Sequence, residues 1–179
     1  MGLRDVKNAQ LVEGLDILRR LWHGEKIMGY DGAMGNLPYL SMGNWMSADI
    51  PVHFVGFGPN SLRFAGRHFD GVHLHTFITD QGLRRAAALI REGAAEAGRN
   101  PDTVQIFAVL ATALHPTRED FLRRLIARMA TYMQAPGYVE GLVALNDWDP
   151  GVLHAFRANK TVASMPGGID SVATLEQLE

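Results

Sequence analysis

A glycine-rich turn carries the residues in this chain that are best suited to bind a ligand. Its residues are, in order, Gly56, Phe57, Gly58, Pro59, Asn60 and Ser61. Because Gly56 and Gly58 lack Cβ, the backbone can bend sharply there and a ligand can approach it closely. Pro59 suits the first position of a helix, where its missing N–H is no loss. The amides of Asn60 and Ser61 would then be unpaired at a helix N-terminus, which favours a phosphate. On the residues alone, a plain strand-to-helix turn is the alternative.

Three histidines lie on the two predicted strands that flank this turn. His73 and His75 are two residues apart on one strand face, and His53 is on the neighbouring strand, so a three-histidine metal site is conceivable. No acidic partner lies nearby in the sequence, and we therefore predict no metal. His75 and Thr76 close their strand beside the glycine turn, where a histidine could donate a hydrogen bond or a proton to a ligand. A structural histidine is the alternative.

Motifs of several common enzyme classes do not occur in the chain. The dinucleotide-binding pattern G-x-G-x-x-G would need glycine at position 61, where the chain has Ser61. There is also no P-loop, no G-x-S-x-G and no H-E-x-x-H. Acid–base hydrolysis has no support in the sequence, and no catalytic residue can be named from it.

The segments around the turn predict a strand–helix–strand unit. An apolar run reaches Val55, helical spacing begins at Leu62, and Asp70-Gly71 precedes a second apolar run. So short a crossover between two buried strands predicts a parallel pair. We place strands near residues 52–57, 72–77 and 104–114, with helical crossovers between them, which is typical of the α/β class.

The remaining segments are predicted from spacing and capping residues. We expect helices over 9–22, from Thr79 or Asp80 to Ala97, and from a Thr117 cap to Met133, then short helices and a final helix after a loop at 164–168. Residues 29–44 favour an irregular segment, in which Tyr39 and the nearby Trp45 either line a pocket or pack the loop down. Three arginines are expected on the solvated far side of their helix: Arg123, Arg124 and Arg128.

Composition limits the class of protein. The chain has 179 residues, a net charge of -2, 47% hydrophobic residues and no cysteine, which is typical of one globular domain over 1–179. Near-neutral charge gives no electrostatic reason to expect nucleic acid. No apolar run is long enough to span a bilayer, there is no signal-peptide pattern, and the absence of cysteine fits a cytoplasmic location. Predicted helices at both ends, the last without a C-cap, favour a truncated domain.

Taken together, several short motifs resemble the luciferase-like monooxygenase family, and most closely its F420-dependent oxidoreductase branch. The shared motifs are Gly58-Pro59, Ala65-Gly66, Asp70-Gly71 and Ala97-Gly98-Arg99-Asn100-Pro101. The resemblance extends from about Leu11 to the end of the chain. It implies a TIM-type (β/α)8 barrel, of which this chain holds a partial barrel with about three parallel strands, the fifth to the seventh.

The resemblance also implies a cofactor and a site. In the family, backbone amides of the turn after the fifth strand contact the cofactor phosphate, which corresponds here to Gly56, Phe57, Gly58, Asn60 and Ser61. Contacts from the next strand end correspond to His75 and Thr76. The implied function is hydride transfer between coenzyme F420 and a small organic substrate, in a protein that could be a homodimer. The alternatives are an FMN-dependent, oxygen-using monooxygenase and a truncated, non-catalytic half-barrel that binds a phosphate ligand.

Overall fold

The computed structural model describes residues 5–43, 48–134, 137, 139–159, 169 and 173–179. The chain divides into two compact units, residues 1–52 and 53–179. None of the helices in the described part of the chain is long and apolar enough to cross a membrane.

The first unit consists of one helix and a β-hairpin. Helix α1 spans Asn8–Trp22, strand β1 spans Ile27–Gly32 and strand β2 spans Gly35–Leu40. The strands pair antiparallel, with Ile27 opposite Leu40. Buried side chains of the helix, Ile17 and Leu21, pack with Ile27 and hold the hairpin against α1.

The hairpin corrects the prediction of an irregular segment over 29–44. Gly35 has φ of +101°, which only glycine adopts readily, and this residue lets the chain reverse within a short turn. The abundance of glycine and asparagine therefore reflects a tight turn, while Tyr30 and Leu37 still pack on the helix. Tyr39 is 55% exposed and does not pack the segment down within this unit. Trp45 lies outside the described residues.

The second unit is built on a parallel three-stranded sheet, as predicted. Its first part comprises strand β3 (His53–Val55), helix α2 (Pro59–His68), strand β4 (Gly71–Leu74), helix α3 (Asp80–Glu96), a 3₁₀ turn (Pro101–Thr103) and strand β5 (Gln105–Ala108). The strand order is β3-β4-β5, both pairs are parallel, and Val72 lies opposite Phe54 on one side and Ile106 on the other.

All three strands are shorter than the predicted ranges, and β5 differs most. The apolar run to Leu114 suggested a strand over 104–114, but pairing ends at Ala108. Val109, Leu110 and Leu114 are 55%, 66% and 86% exposed. The range predicted for β5 was therefore too long. Apolar composition does not indicate where the neighbouring strand ends, and a strand cannot pair beyond that point.

A second series of helices follows the sheet. Residues 118–133 form α4 (Arg118–Asp120), a π-helical segment (Phe121–Ile126) and α5 (Ala127–Met133). After these come α6 (Val139–Asn146), α7 (Pro150–Ala158) and α8 (Leu175–Leu178). The predicted cap is confirmed, since the Thr117 side chain accepts a hydrogen bond from the Asp120 N–H. The predicted loop at 164–168 lies outside the described residues.

Helices α2 and α3 cover one face of the sheet and touch each other through their backbones. A Cβ on Gly66 would lie 2.0 Å from the Ile90 carbonyl oxygen, and a Cβ on Gly93 would lie 2.1 Å from the Arg63 carbonyl oxygen. Only glycine permits this approach. The close helix pair seals the core, whose largest fully buried side chains here are Leu62, Val72 and Ile90.

Candidate functional site

The candidate site lies where the three parallel strands end. The carboxyl ends of β3, β4 and β5 meet at one edge of the sheet, because the strands run in the same direction. Ligands of parallel α/β proteins bind at this edge. The glycine turn follows β3, His75 and Thr76 follow β4, and the exposed Val109 and Leu110 follow β5.

The glycine turn has the geometry that the sequence predicts. Gly58 is the N-cap of α2, with φ −73° and ψ 148°, and Pro59 occupies the first helical turn. The Leu62 N–H donates to the Gly58 carbonyl at 2.9 Å and begins the helical ladder. Glycine has no side chain with which to cap the amides of Asn60 and Ser61. A Cβ on Gly58 would have Ser61 Oγ as its nearest neighbour, at 3.8 Å, so the space in front of it is open.

His75 lies beneath this turn rather than on the surface. It is 8% exposed and packs against Phe57, Tyr132 and Phe77, with ring centroids 5.4, 4.9 and 5.7 Å away. The Phe77 N–H donates to His75 Nδ1 at 3.1 Å, which places the proton of the neutral ring on Nε2. Burial lowers the pKa of His75, so the ring is neutral at pH 7. His75 therefore contacts the glycine turn through its packing against the Phe57 ring.

Thr76 lines two adjoining clefts at the strand ends. The first, of about 310 Å³, is mainly apolar and includes Leu110, Met129 and Trp148. The second, of about 410 Å³, is lined by Thr76, residues 109–113, Arg123, Arg124, Leu125 and Arg128. The arginines are accessible to solvent, as predicted, and all three contribute to the lining of this cleft. Arg123 also donates to the Ala173 carbonyl at 3.3 Å.

Asn146 holds the loop after β4 in place. Its Oδ1 accepts from the Thr79 N–H at 2.9 Å and from Thr79 Oγ1 at 3.1 Å, and its Nδ2 donates to the Phe77 carbonyl at 2.8 Å. The Thr79 hydroxyl accepts from the Gly82 N–H at 3.0 Å, so Thr79, one of the two predicted candidates, is the cap of α3 and Asp80 is not. No local signal in the sequence identifies Asn146, because its partners are 67 and 69 residues away along the chain.

Two of the three histidines form a pair on the sheet. His53 Nδ1 lies 3.0 Å from His73 Nε2, and both rings stack on Phe107, with centroids 5.0 and 4.7 Å away. His75 is engaged elsewhere, with the aromatic rings at the strand end. Within the described ranges, no group of three histidine, cysteine, aspartate or glutamate residues is placed to hold a metal ion.

Curated proteins that share part of their sequence with this chain include two F420-dependent dehydrogenases. The F420-dependent glucose-6-phosphate dehydrogenase of Mycolicibacterium gilvum is 30% identical over 102 residues, which cover 54% of this chain and 29% of that protein. The F420-dependent hydroxymycolic acid dehydrogenase of Mycobacterium tuberculosis is 31% identical over 109 residues, covering 58% and 29%. The matched segments thus span less than a third of these relatives.

Solved structures that share the fold include two F420-dependent enzymes. The coenzyme F420 dependent tetrahydromethanopterin reductase of Methanopyrus kandleri superposes with a TM-score of 0.65 and 17% identity, covering 91% of this chain and 48% of that one. An F420-dependent secondary alcohol dehydrogenase, in complex with an F420-acetone adduct, gives a TM-score of 0.57 and 19% identity, covering 80% and 45%. The chain spans about half the length of these structures, and its three parallel strands correspond to part of a (β/α)8 barrel.

The sequence profile of the luciferase-like monooxygenases matches residues 5–164. This range includes the glycine turn, all three parallel strands and the helices that line both clefts. Because the match covers most of the chain and the fold agrees with it, the protein belongs to the luciferase-like monooxygenase family.

Proposed function

We propose that this chain binds coenzyme F420 through its glycine turn and contributes to hydride transfer to or from a small organic substrate. The observation that carries the proposal is the uncapped start of α2 at the carboxyl edge of a parallel sheet. Family membership supports it, as do two curated relatives named as F420-dependent dehydrogenases.

In this proposal the backbone of the turn holds the cofactor phosphate. The amides of Asn60 and Ser61 supply donors, with the positive end of the α2 dipole behind them. Gly56, Phe57 and Gly58 supply a backbone that the phosphate can approach closely. The position of Gly58 fits this role, because an added Cβ would have Ser61 Oγ as its nearest neighbour, at 3.8 Å.

His75 and Thr76 complete the proposed site in different ways. Thr76 lines both clefts at the strand end, and we assign its hydroxyl the role of a hydrogen-bonding group for a ligand there. His75 is buried against Phe57, so we assign it the role of holding the turn in position. F420 supplies the hydride chemistry when it is bound, while the protein orients the reactants and excludes water.

The chromophore separates this proposal from its alternatives. F420 and FMN both carry a phosphate that the turn could bind, but their absorption maxima differ, at roughly 420 and 450 nm, because their ring electronics differ. Titration with each cofactor, followed by absorbance and fluorescence, tests the assignment. Preference for FMN with consumption of oxygen would favour the monooxygenase alternative. Binding of inorganic phosphate without either cofactor would favour a non-catalytic phosphate-binding domain.

A pair of substitutions at Gly58 tests the turn itself. Gly58→Asp should weaken F420 binding by about a hundredfold or more, because it places a carboxylate against the phosphate. The φ of −73° suits any residue, and aspartate is a favoured N-cap, so the stability of the fold should not decrease. Gly58→Ala, the matched control, adds a Cβ without a charge and should weaken binding much less than Gly58→Asp does. Unchanged affinity in Gly58→Asp would refute the assignment of the turn.

We also infer a cytoplasmic protein with a small-molecule substrate and no nucleic-acid partner, on the basis of its near-neutral charge and its lack of cysteine. A homodimer is part of the same proposal, and light scattering after gel filtration measures it directly.

A further inference from the structure

The arginine-lined cleft at the sheet edge is not used by the proposed phosphate site. Its floor is Thr76 and the backbone segment after β5, and its wall carries Arg123, Arg124 and Arg128. None of these described lining residues is acidic. The cleft therefore presents positive charge beside a residue that we have placed next to the cofactor.

The three arginines are not equivalent, because two of them are already paired. Arg123 Nε lies 2.9 Å from Glu119 Oε1, and Arg124 Nε lies 2.9 Å from Asp120 Oδ1. Both acidic partners lie outside the lining of the cleft. Arg128 is exposed and forms no ion pair with any residue that the structure describes. Its guanidinium keeps a full charge and its donors for an anion, to which planar arginine is well suited.

A π-helical segment explains why these side chains share one wall. The Ala127 N–H donates to the Leu122 carbonyl, five residues earlier, where an α-helix would bond four residues earlier. This wider turn brings residues five apart, such as Arg123 and Arg128, toward the same side of the helix. Single π-helical turns occur frequently at functional sites.

The charged cleft is continuous with the apolar cleft. Both clefts are lined by Thr76, Leu110, Ala111 and Leu125, and the apolar cleft continues to Met129 and Trp148. A ligand lying across both would meet an apolar wall at one end and a guanidinium at the other. The combined volume suits a small organic molecule and not a macromolecule.

We propose that these clefts bind the substrate, and that it is an amphipathic organic anion. Its carboxylate or other anionic group binds Arg128, and its apolar body lies against Leu125, Met129 and Trp148. The identification as substrate rests on the proposed function, because it depends on F420 lying on the other side of Thr76.

The test uses octanoate and 1-octanol as probes, titrated into the protein without F420. Binding is followed by tryptophan fluorescence, and Trp148→Phe identifies the part of the signal that arises in the cleft. Arg128→Gln should weaken octanoate binding about tenfold, which is typical of a charged hydrogen bond, and should leave 1-octanol unchanged. The matched control is Arg91→Gln, since Arg91 is also exposed and without an ion pair to a described residue. It should change neither affinity.

A parallel F420 titration separates this inference from the proposed function. Arg128→Gln should bind F420 as the wild type does. If it weakens F420 and not octanoate, the arginines serve the cofactor and the inference is overturned. Octanoate affinity equal in Arg128→Gln and wild type would also overturn it. If wild-type protein does not bind F420, the proposed function and the substrate role fail together, while the octanoate result still decides whether the cleft binds anions.

Discussion

The strand-to-helix turns that follow β3 and β4 are alike in position and opposite in construction. The turn after β3 ends at Gly58, which has no side chain to cap the first amides of α2. The turn after β4 ends at Thr79, whose hydroxyl accepts from the Gly82 N–H, and Asn146 bonds the same turn from outside. Both turns lie at the same edge of one parallel sheet.

The difference shows that, of two similar strand-to-helix turns, one can be suited to bind a ligand and the other to stabilise the fold. Amides that are satisfied by the protein itself are not available to a ligand, whereas uncapped amides must bond water or a ligand. The first turn is therefore suited to bind an anion. The second is suited to hold Thr76 at the boundary of the two clefts. If this division is correct, substitutions in the second turn should change stability, and substitutions in the first should change binding.

The largest change in stability is expected for Asn146→Ala. Asn146 is 4% exposed, and its removal leaves the Thr79 N–H and the Phe77 carbonyl without their partner. We expect a loss of about 3 kcal/mol in the free energy of unfolding, measured with urea. Affinity for F420 should fall less than about threefold in the fraction that remains folded, since the glycine turn is untouched.

Asn146→Asp is the matched variant, because it keeps the oxygen that accepts from Thr79 and replaces the group that donates to Phe77 with a buried oxygen. It should also be destabilised. A hundredfold loss of F420 affinity in Asn146→Ala, without loss of stability, would show that the second turn binds the ligand. It would refute the assignment of binding to the first turn and of stability to the second.

A smaller loss of stability is expected for Thr79→Ala. This substitution removes the cap of α3 and should cost about 1 kcal/mol, measured by urea or thermal unfolding. Thr79→Ser retains the hydroxyl and should remain close to the wild type. If Thr79→Ala and Thr79→Ser are equally stable, the hydroxyl does not support the second turn.

The smallest effect concerns pH and His75, the residue that connects the two turns. Burial lowers the pKa of His75 from 6.5, so below this pH the unfolded chain binds more protons than the folded protein. His75 therefore lowers the free energy of unfolding as the pH falls below 6.5. Above pH 6.5 its contribution does not change with pH. His75→Asn should remove this part of the acid destabilisation, a change of at most about 1.4 kcal/mol at pH 5.5, because that pH is one unit below 6.5.

His68 leaves some acid sensitivity in that variant, because burial, together with the positive charges of Arg67 and Arg99, also lowers its pKa. The control is His154→Asn at an exposed position, which should keep the full pH dependence in urea unfolding. Identical profiles for His75→Asn and wild type would mean that the ring is not buried in solution.

The sequence predicted the strand–helix–strand unit because two local signals agreed there. The apolar runs on both sides of the turn and the helical spacing after Pro59 are readable within a few residues. The hairpin at 27–40 was missed because its turn glycines resemble those of a loop. The end of β5 was missed for a different reason, since hydrophobicity does not report pairing. Asn146 gave no signal, because its function depends on partners more than sixty residues away.

By itself, the sequence determined the parallel α/β class, the glycine turn, the helix cap at Thr117 and the family resemblance. It narrowed the cap of α3 to Thr79 or Asp80. Each of these depends on neighbouring residues or on a short motif. The tertiary structure decided which face of the π-helical segment carries the arginines, that His75 lies beneath Phe57, and that Asn146 closes the second turn. These features arise when helices pack against the sheet and bring distant residues into contact. Such contacts leave no periodic pattern in the chain that forms them.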